Sequence, residues 1–234
     1  MKGMLYLVPA TLGNTEIRDT IPEGTAHIIR RVRVFVVENI RSARRYLKQV
    51  DRAIDIDQLQ FFELNEHTPA EQIPSFLEPA QQGSDIAVLS EAGVPGVADP
   101  GGELVREAHA RGIRVVPLTG PSSILLSLMA SGLNGQQFTF HGYLPVRRSD
   151  RVRRIREIEE ELRRTGITQL FIEAPYRNDA LLADLLDTCN PSTLLCIAAD
   201  ITLPTEMIRT QPVGRWKENK PVLHKRPVIF LMGS

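Results

Sequence analysis

Short apolar runs alternate along the chain with segments whose apolar positions recur every three or four residues. The runs at 4–8, 33–37, 59–64, 86–89 and 113–118 predict strands, and 86–89 has no polar position on either face, as in a buried parallel strand. Helices are predicted between them over 22–30, 42–50, 69–82 and 102–110. Pro22 suits a first helical turn, Gly112 suits a stop, and Ile73, Phe76, Leu77 and Ala80 share one face. Strand and helix in regular alternation call for a parallel sheet with right-handed crossovers. The segment 124–130 is apolar nearly all round, which predicts a buried helix. Beyond Gly132 come strands at 138–141, 167–173 and 194–199, with helices at 149–164 and 176–189. Two further strands, 205–210 and 228–232, are separated by turn-rich sequence around Trp216 and Pro221. Three closing strands with few helices between them predict a mixed sheet. The fold class is therefore α/β, with two α/β domains: 1–118 on a mostly parallel sheet and 119–234 on a mixed one.

The stretch after the 86–89 strand reads Ser90-Glu91-Ala92-Gly93-Val94-Pro95-Gly96-Val97-Ala98-Asp99-Pro100-Gly101-Gly102. Glycine permits positive φ and close approach to a ligand, while proline stiffens the loop. Strand, rigid glycine loop and helix together build ligand sites at the carboxyl ends of open α/β sheets. A second turn, Thr119-Gly120-Pro121-Ser122-Ser123, also joins a strand to a helix. Its free N–H groups and two hydroxyls suit a carboxylate or phosphate, or Ser122 or Ser123 serves simply as a cap.

Composition narrows the partners. Twenty-eight basic and 28 acidic residues cancel, so a nucleic acid would have to be held by a local patch. The two cysteines, Cys189 and Cys196, lack disulfide-framework or zinc spacing, and Cys196 sits in an apolar run. Buried free thiols and a reducing, cytoplasmic setting are expected. The N-terminus lacks a signal-peptide core, and no run approaches the roughly 20 apolar residues that span a bilayer. Five scattered histidines give no ligand pair, so no metal is expected.

Glu38, Glu91, Glu173 and Asp200 each follow an apolar strand run. At strand carboxyl ends such groups can line one crevice, bind a ribose hydroxyl or act as a base; otherwise they cap helices or pair with an arginine such as Arg41 or Arg177. The densest basic segment surrounds the 149–164 helix. Glu157, Glu159, Glu160 and Glu161 offset its later charges, as on a solvated, salt-bridged face. Arg147, Arg148, Arg151 and Arg154 lack such local compensation and are candidates to grip RNA phosphates.

Five segments, in order, resemble the tetrapyrrole methylase superfamily. They are Leu5-Tyr6-Leu7-Val8-Pro9-Ala10-Thr11-Leu12-Gly13-Asn14, the Leu89–Gly101 loop, Gly120-Pro121-Ser122-Ser123, Gly142-Tyr143-Leu144-Pro145 and Glu173-Ala174-Pro175-Tyr176-Arg177. The nearest branch is the ribosomal RNA small-subunit methyltransferase I family. The resemblance implies an S-adenosyl-L-methionine-dependent methyltransferase, a homodimer as a rule, with the cofactor in a cleft between two α/β domains. By position it implies cofactor contacts at Pro9, Leu12, Glu91, Ala92, Gly93, Val94, Ser122, Ser123, Glu173, Ala174, Ala199 and Pro227. The branch implies 2′-O-methylation of a cytidine ribose in small-subunit ribosomal RNA, within the small ribosomal subunit. Glu38 or Asp200 is then the candidate base, with Arg41 or Arg177 as its charge-stabilising partner.

The chain departs from that branch at Val37-Glu38-Asn39-Ile40-Arg41, at Ala199-Asp200-Ile201-Thr202-Leu203 and at Glu91, which replaces the usual Asp. The cofactor segments are kept and the substrate-facing ones altered. Three function classes follow: an RNA ribose methyltransferase, a C-methyltransferase on a tetrapyrrole or other small molecule, and a cofactor-binding interaction protein without catalysis.

Overall fold

A computed structural model describes residues 2–234. The chain divides into two compact units, Met1–Ser122 and Ser123–Ser234.

In the first unit the elements run β1 (Met4–Val8), α1 (Ile17–Thr20), α2 (Glu23–Arg31), β2 (Val34–Val37), α3 (Ile40–Val50), β3 (Gln60–Glu63), α4 (Glu78–Gln81), β4 (Ile86–Leu89), α5 (Gly102–Ala110) and β5 (Arg114–Pro117). The five strands form one parallel sheet in the order β3-β2-β4-β1-β5. Alternate residues explain why its central strands read as unbroken apolar runs. Tyr6, Val8, Phe35, Val37, Ala87 and Leu89 pack with α2 and α3, whereas Leu5, Val34, Val36, Ile86 and Val88 pack with α5 and the segment around Phe76. Both faces are covered, so neither admits a polar residue. The helix expected over 69–82 is instead a 3₁₀ segment, Ala70–Leu77, followed by the short α4. Pro74 and Pro79 each lack the N–H that a continuous α-helix needs.

The second unit runs α6 (Ser123–Ser131), β6 (Phe138–Tyr143), α7 (Arg148–Thr165), β7 (Thr168–Ile172), α8 (Asn178–Thr188), β8 (Leu194–Ala199), β9 (Met207–Pro212), α9 (Val213–Glu218) and β10 (Val228–Gly233). Its sheet has the order β6-β7-β10-β8-β9, with only β6 and β7 paired in parallel, so it is mixed as the closing strands predict. The turn-rich region around Trp216 contains α9, whose Trp216 is buried and donates to the Leu195 carbonyl at 2.8 Å. Both cysteines are buried free thiols, and burial pushes Cys189 up to about 12. Among the described residues no helix is long and apolar enough to cross a membrane.

Two expectations for this unit need correction. Helix α6 is not buried all round: Ser127, Leu128 and Ser131 face inward, while Leu125 and Met129 are 52% and 78% exposed. Its small polar residues satisfy themselves on the helix carbonyls, with Ser127 donating to Ile124 and Ser131 to Leu128. They therefore fit against the sheet, and the larger apolar side chains turn outward. Of the four candidate arginines, Arg148, Arg151 and Arg154 are compensated, and Arg147 alone takes part in no ion pair among the described residues. Asp184 of α8 accepts from Arg148 Nε at 2.8 Å and from Arg151 Nε and Nη2 at 2.8 and 2.6 Å. Arg151 is itself buried and also donates to the Val146 carbonyl. Arg154 pairs with Glu157 at 3.1 Å and reaches His141. For Arg148 and Arg151 the compensating acid comes from a helix more than 30 residues away, outside the range of a local charge pattern.

The Asp184–Arg151 pair is buried and hydrogen-bonded at both ends, so removing one partner strands a charge. Asp184→Ala is expected to cost about 3–5 kcal/mol, read as a lowered denaturation midpoint in urea. A loss below about 1 kcal/mol, the range of an exposed pair, would mean that water reaches Arg151.

Candidate functional site

Within the first unit, β1 sends its chain toward β2 on one side of the sheet and β4 sends its chain toward β5 on the other. The carboxyl ends of β1 and β4 therefore mark a topological switch point, where the chain leaving one strand goes to one face and the chain leaving the other goes to the opposite face. Both loops are built for this position. Ala10 and Gly93 form an isolated antiparallel bridge, with Ala10 N–H donating to the Gly93 carbonyl at 2.8 Å and Gly93 N–H to Ala10 at 3.2 Å. Gly93 has φ +76°, and a Cβ there would stand 3.3 Å from Leu12 Cδ2 and 3.6 Å from the Pro121 carbonyl. A β-branched residue fits neither the dihedral nor the space. Pro9 is buried; the Tyr46 hydroxyl of α3 donates to its carbonyl at 2.8 Å. Gly120 closes the same region: a Cβ on it would overlap the Pro9 ring, 2.2 Å from Cγ. The switch-point loops are thus held by backbone, by one tyrosine from α3 and by a glycine that lets two loops touch.

Carboxylates gather at this edge. Glu38 follows β2, Glu91 follows β4, and Asp99 comes from the far side of the glycine loop. Burial pushes Glu38 up to about 7, with the negative charges of Asp99 and Glu91 adding to the effect. Its Oε1 is buried without a hydrogen-bond partner. Asp99 is also raised, chiefly by burial, although the Ser90 hydroxyl donates to it. Glu91 is exposed and accepts from Ser42 of α3. Asn39 caps α3 by accepting from the Arg41 and Ser42 amides at 2.9 and 3.2 Å. That cap fixes the turn that carries Glu38 and leaves the Arg41 side chain outside.

The expected carboxylates do not share one sheet. Glu38 and Glu91 belong to the parallel sheet, whereas Glu173 and Asp200 stand at the ends of β7 and β8 in the second unit. Arg177 binds Glu173 Oε1 through Nη2 at 2.5 Å and Nε at 2.9 Å. Asp200, at φ +52°, accepts from Arg226 at 2.7 Å and Thr205 at 2.8 Å. These bonds tie down the turn after β8. Arg177 is likewise committed to Glu173. Ala199 lies wholly in the core, while Pro227 is exposed and accepts the Asp200 amide at 3.0 Å. Ser122 ends the first unit and Ser123 opens α6.

The residues fit S-adenosylmethionine, which carries an ammonium, an amino group and ribose hydroxyls as donors. Glu173 is buried, and its Oε2 lacks a partner, an acceptor waiting for a donor. Sequence reasoning missed Asp99 and Tyr46. Asp99 stands in the glycine loop and shares its signal, but the effect of Tyr46 runs through a contact 37 residues away.

A family model described as Tetrapyrrole (Corrin/Porphyrin) Methylases matches residues 4–216. The chain is 32% identical over 212 residues to the Ribosomal RNA small subunit methyltransferase I of Pseudomonas aeruginosa, covering 91% of this chain and 71% of that protein. It is 35% identical over 200 residues to the protein of that name from Xylella fastidiosa, covering 86% and 69%. Among solved structures, the methyltransferase CobJ superposes with a TM-score of 0.65 at 18% identity, over 99% of this chain and 94% of that one. Uroporphyrin-III C-methyl transferase from Thermus thermophilus, complexed with S-adenyl homocysteine, gives 0.55 at 19% identity over 99% and 98%. These structures share the fold.

An acid whose folded pKa lies above its ordinary value stabilises the fold only while protonated. For Glu38 that contribution is full below about pH 4.5 and is lost as pH rises through about 7. Glu38→Gln stays neutral, so it should melt like the parent at pH 4 and a few degrees higher at pH 8. A scanning-fluorimetry gap of the same size at both pH values would contradict the burial of this carboxyl.

Proposed function

The chain belongs to the Tetrapyrrole (Corrin/Porphyrin) Methylases, which are S-adenosylmethionine-dependent methyltransferases, and on that premise we propose that it methylates a ribose 2′-hydroxyl in small-subunit ribosomal RNA. The observation that carries the substrate is the match to relatives named for small-subunit ribosomal RNA, which extends over nearly the whole chain. The bound cofactor would supply an electrophilic methyl group on a sulfonium. The chain's own task is then positioning and proton handling. Pro9, Leu12, Glu91, Ala92, Gly93 and Val94 are the proposed cofactor contacts of the first unit, on loops already fixed by the Ala10–Gly93 bridge. Rigid loops of this kind also leave little room for water beside a reactive methyl.

A ribose hydroxyl is a weak nucleophile until its proton has somewhere to go. Glu38 is the proposed acceptor: its pKa of about 7 makes it a stronger base than an ordinary carboxylate, and Oε1 is free to receive the proton. Arg41, at the first turn of α3, is the proposed cation for developing negative charge. A homodimer and a cytoplasmic setting belong to the same reading; the outward Leu125 and Met129 of α6 support the first and the buried thiols the second.

Labelled methyl transfer to naked and assembled small ribosomal subunits, followed by nucleoside analysis, should return a 2′-O-methylnucleoside. Activity should fall as pH drops below about 7, and Glu38→Gln should lose about 10²–10⁴-fold together with that acidic limb. Label entering a porphyrinoid and no RNA would replace this reading with C-methylation. Gly93→Val should weaken S-adenosylhomocysteine binding at least tenfold by calorimetry, and unchanged affinity would remove this loop from the cofactor site.

A further inference from the structure

Helix α3 carries four cations on one face and no acid, and a fifth, Arg52, follows it in the next turn. Arg41, Arg44, Arg45 and Lys48 stand at i, i+3, i+4 and i+7, a single stripe along the helix, Arg52 follows two residues past its end, and all five are exposed. Among the described residues, none of them takes part in an ion pair. Lys48 instead donates to the Arg52 carbonyl at 2.9 Å, and Arg44 lies over the Phe61 ring at 5.6 Å. Together they line an open groove. The opposite face, Ala43, Tyr46, Leu47 and Val50, is buried, so the stripe cannot turn inward.

Like charges at this spacing repel one another, and the isolated fold gains nothing from them. The face suits a partner with regularly spaced negative charge. It also has a direction: from Arg41 to Lys48 the stripe extends about 10 Å along the helix axis, and it begins at Arg41, three residues after Glu38 and two after the cap Asn39. Outward apolar anchors, which a membrane-surface helix needs, are missing from the stripe. Helix α7, the other basic element, has Arg148, Arg151 and Arg154 tied to acids.

We propose that α3 is the surface that grips the phosphodiester backbone of the RNA substrate, with Arg41 at the end nearest the reacting ribose. The proposal rests on the RNA reading above.

The test is filter binding of the full chain to naked small-subunit ribosomal RNA from 50 to 300 mM KCl, with S-adenosylhomocysteine present. Arg44→Gln, Arg45→Gln and Lys48→Gln combined should lose roughly 100-fold at 0.1 M salt and flatten the log–log salt slope by about 2. Lys48→Gln alone should lose about fivefold, which keeps the test valid if the triple variant folds poorly. The matched loss of Arg153, Arg156 and Arg163 on α7 should cost less than about threefold if those charges meet no phosphate. Affinity for S-adenosylhomocysteine should stay unchanged in every variant. Equal losses in the two triple variants, or none in the α3 set while the parent binds and methylates RNA, would overturn the assignment and leave the RNA reading standing. A parent that neither binds nor methylates RNA would remove both.

Discussion

Two backbone hydrogen bonds, from Ala10 to Gly93 and from Gly93 to Ala10, hold together the loops that leave β1 and β4. The order of the parallel sheet sends the chains that leave these neighbouring strands to opposite faces, and the bridge fixes the two loops against each other at the sheet edge. The bridge in turn sets local demands. Residue 93 must accept positive φ against Leu12, and residue 120 must lack a Cβ for Pro9 to sit where Tyr46 holds it. Glycines, a proline and one tyrosine are therefore parts of one constraint, although they are scattered over more than 110 residues.

The same edge explains the unusual electrostatics. Glu38 is partly buried beside Asp99 and Glu91 and, among the described residues, has no ion-pair partner, so its proton is held to about pH 7. Glu173 and Asp200 occupy equivalent strand ends in the second unit, yet each has an arginine and behaves as an anchor. Environment separates groups of like chemistry into one acid held protonated to higher pH and two tied to arginines. Charge is sorted along the helices as well: the first turns of α7 commit Arg148, Arg151 and Arg154 to Asp184 and Glu157, while among the described residues the cations of α3 form no ion pair. A net charge of zero hides both arrangements.

Elements whose cause is local were legible in the sequence. Strands β1, β2 and β4 are apolar because both sheet faces are covered, and their runs can be read directly. The glycine loop announces its conformation through residues that few other structures need. What escaped depended on distant partners. Asp184 reaches Arg151 across 33 residues, and no window over α7 contains it. The apolar sequence of α6 predicts burial, but the sheet accepts its serines and leaves Met129 outside. The four strand-end acids look alike until the topology assigns them to two sheets.

The central claim is that the loops after β1 and β4 act as one cofactor-binding unit. Hydrogen–deuterium exchange with and without S-adenosylhomocysteine tests it most directly. The account predicts slowed exchange in both 9–14 and 90–101 on binding, with the two segments protected at the same ligand concentration. Binding that leaves both segments exchanging as in the free protein would contradict it.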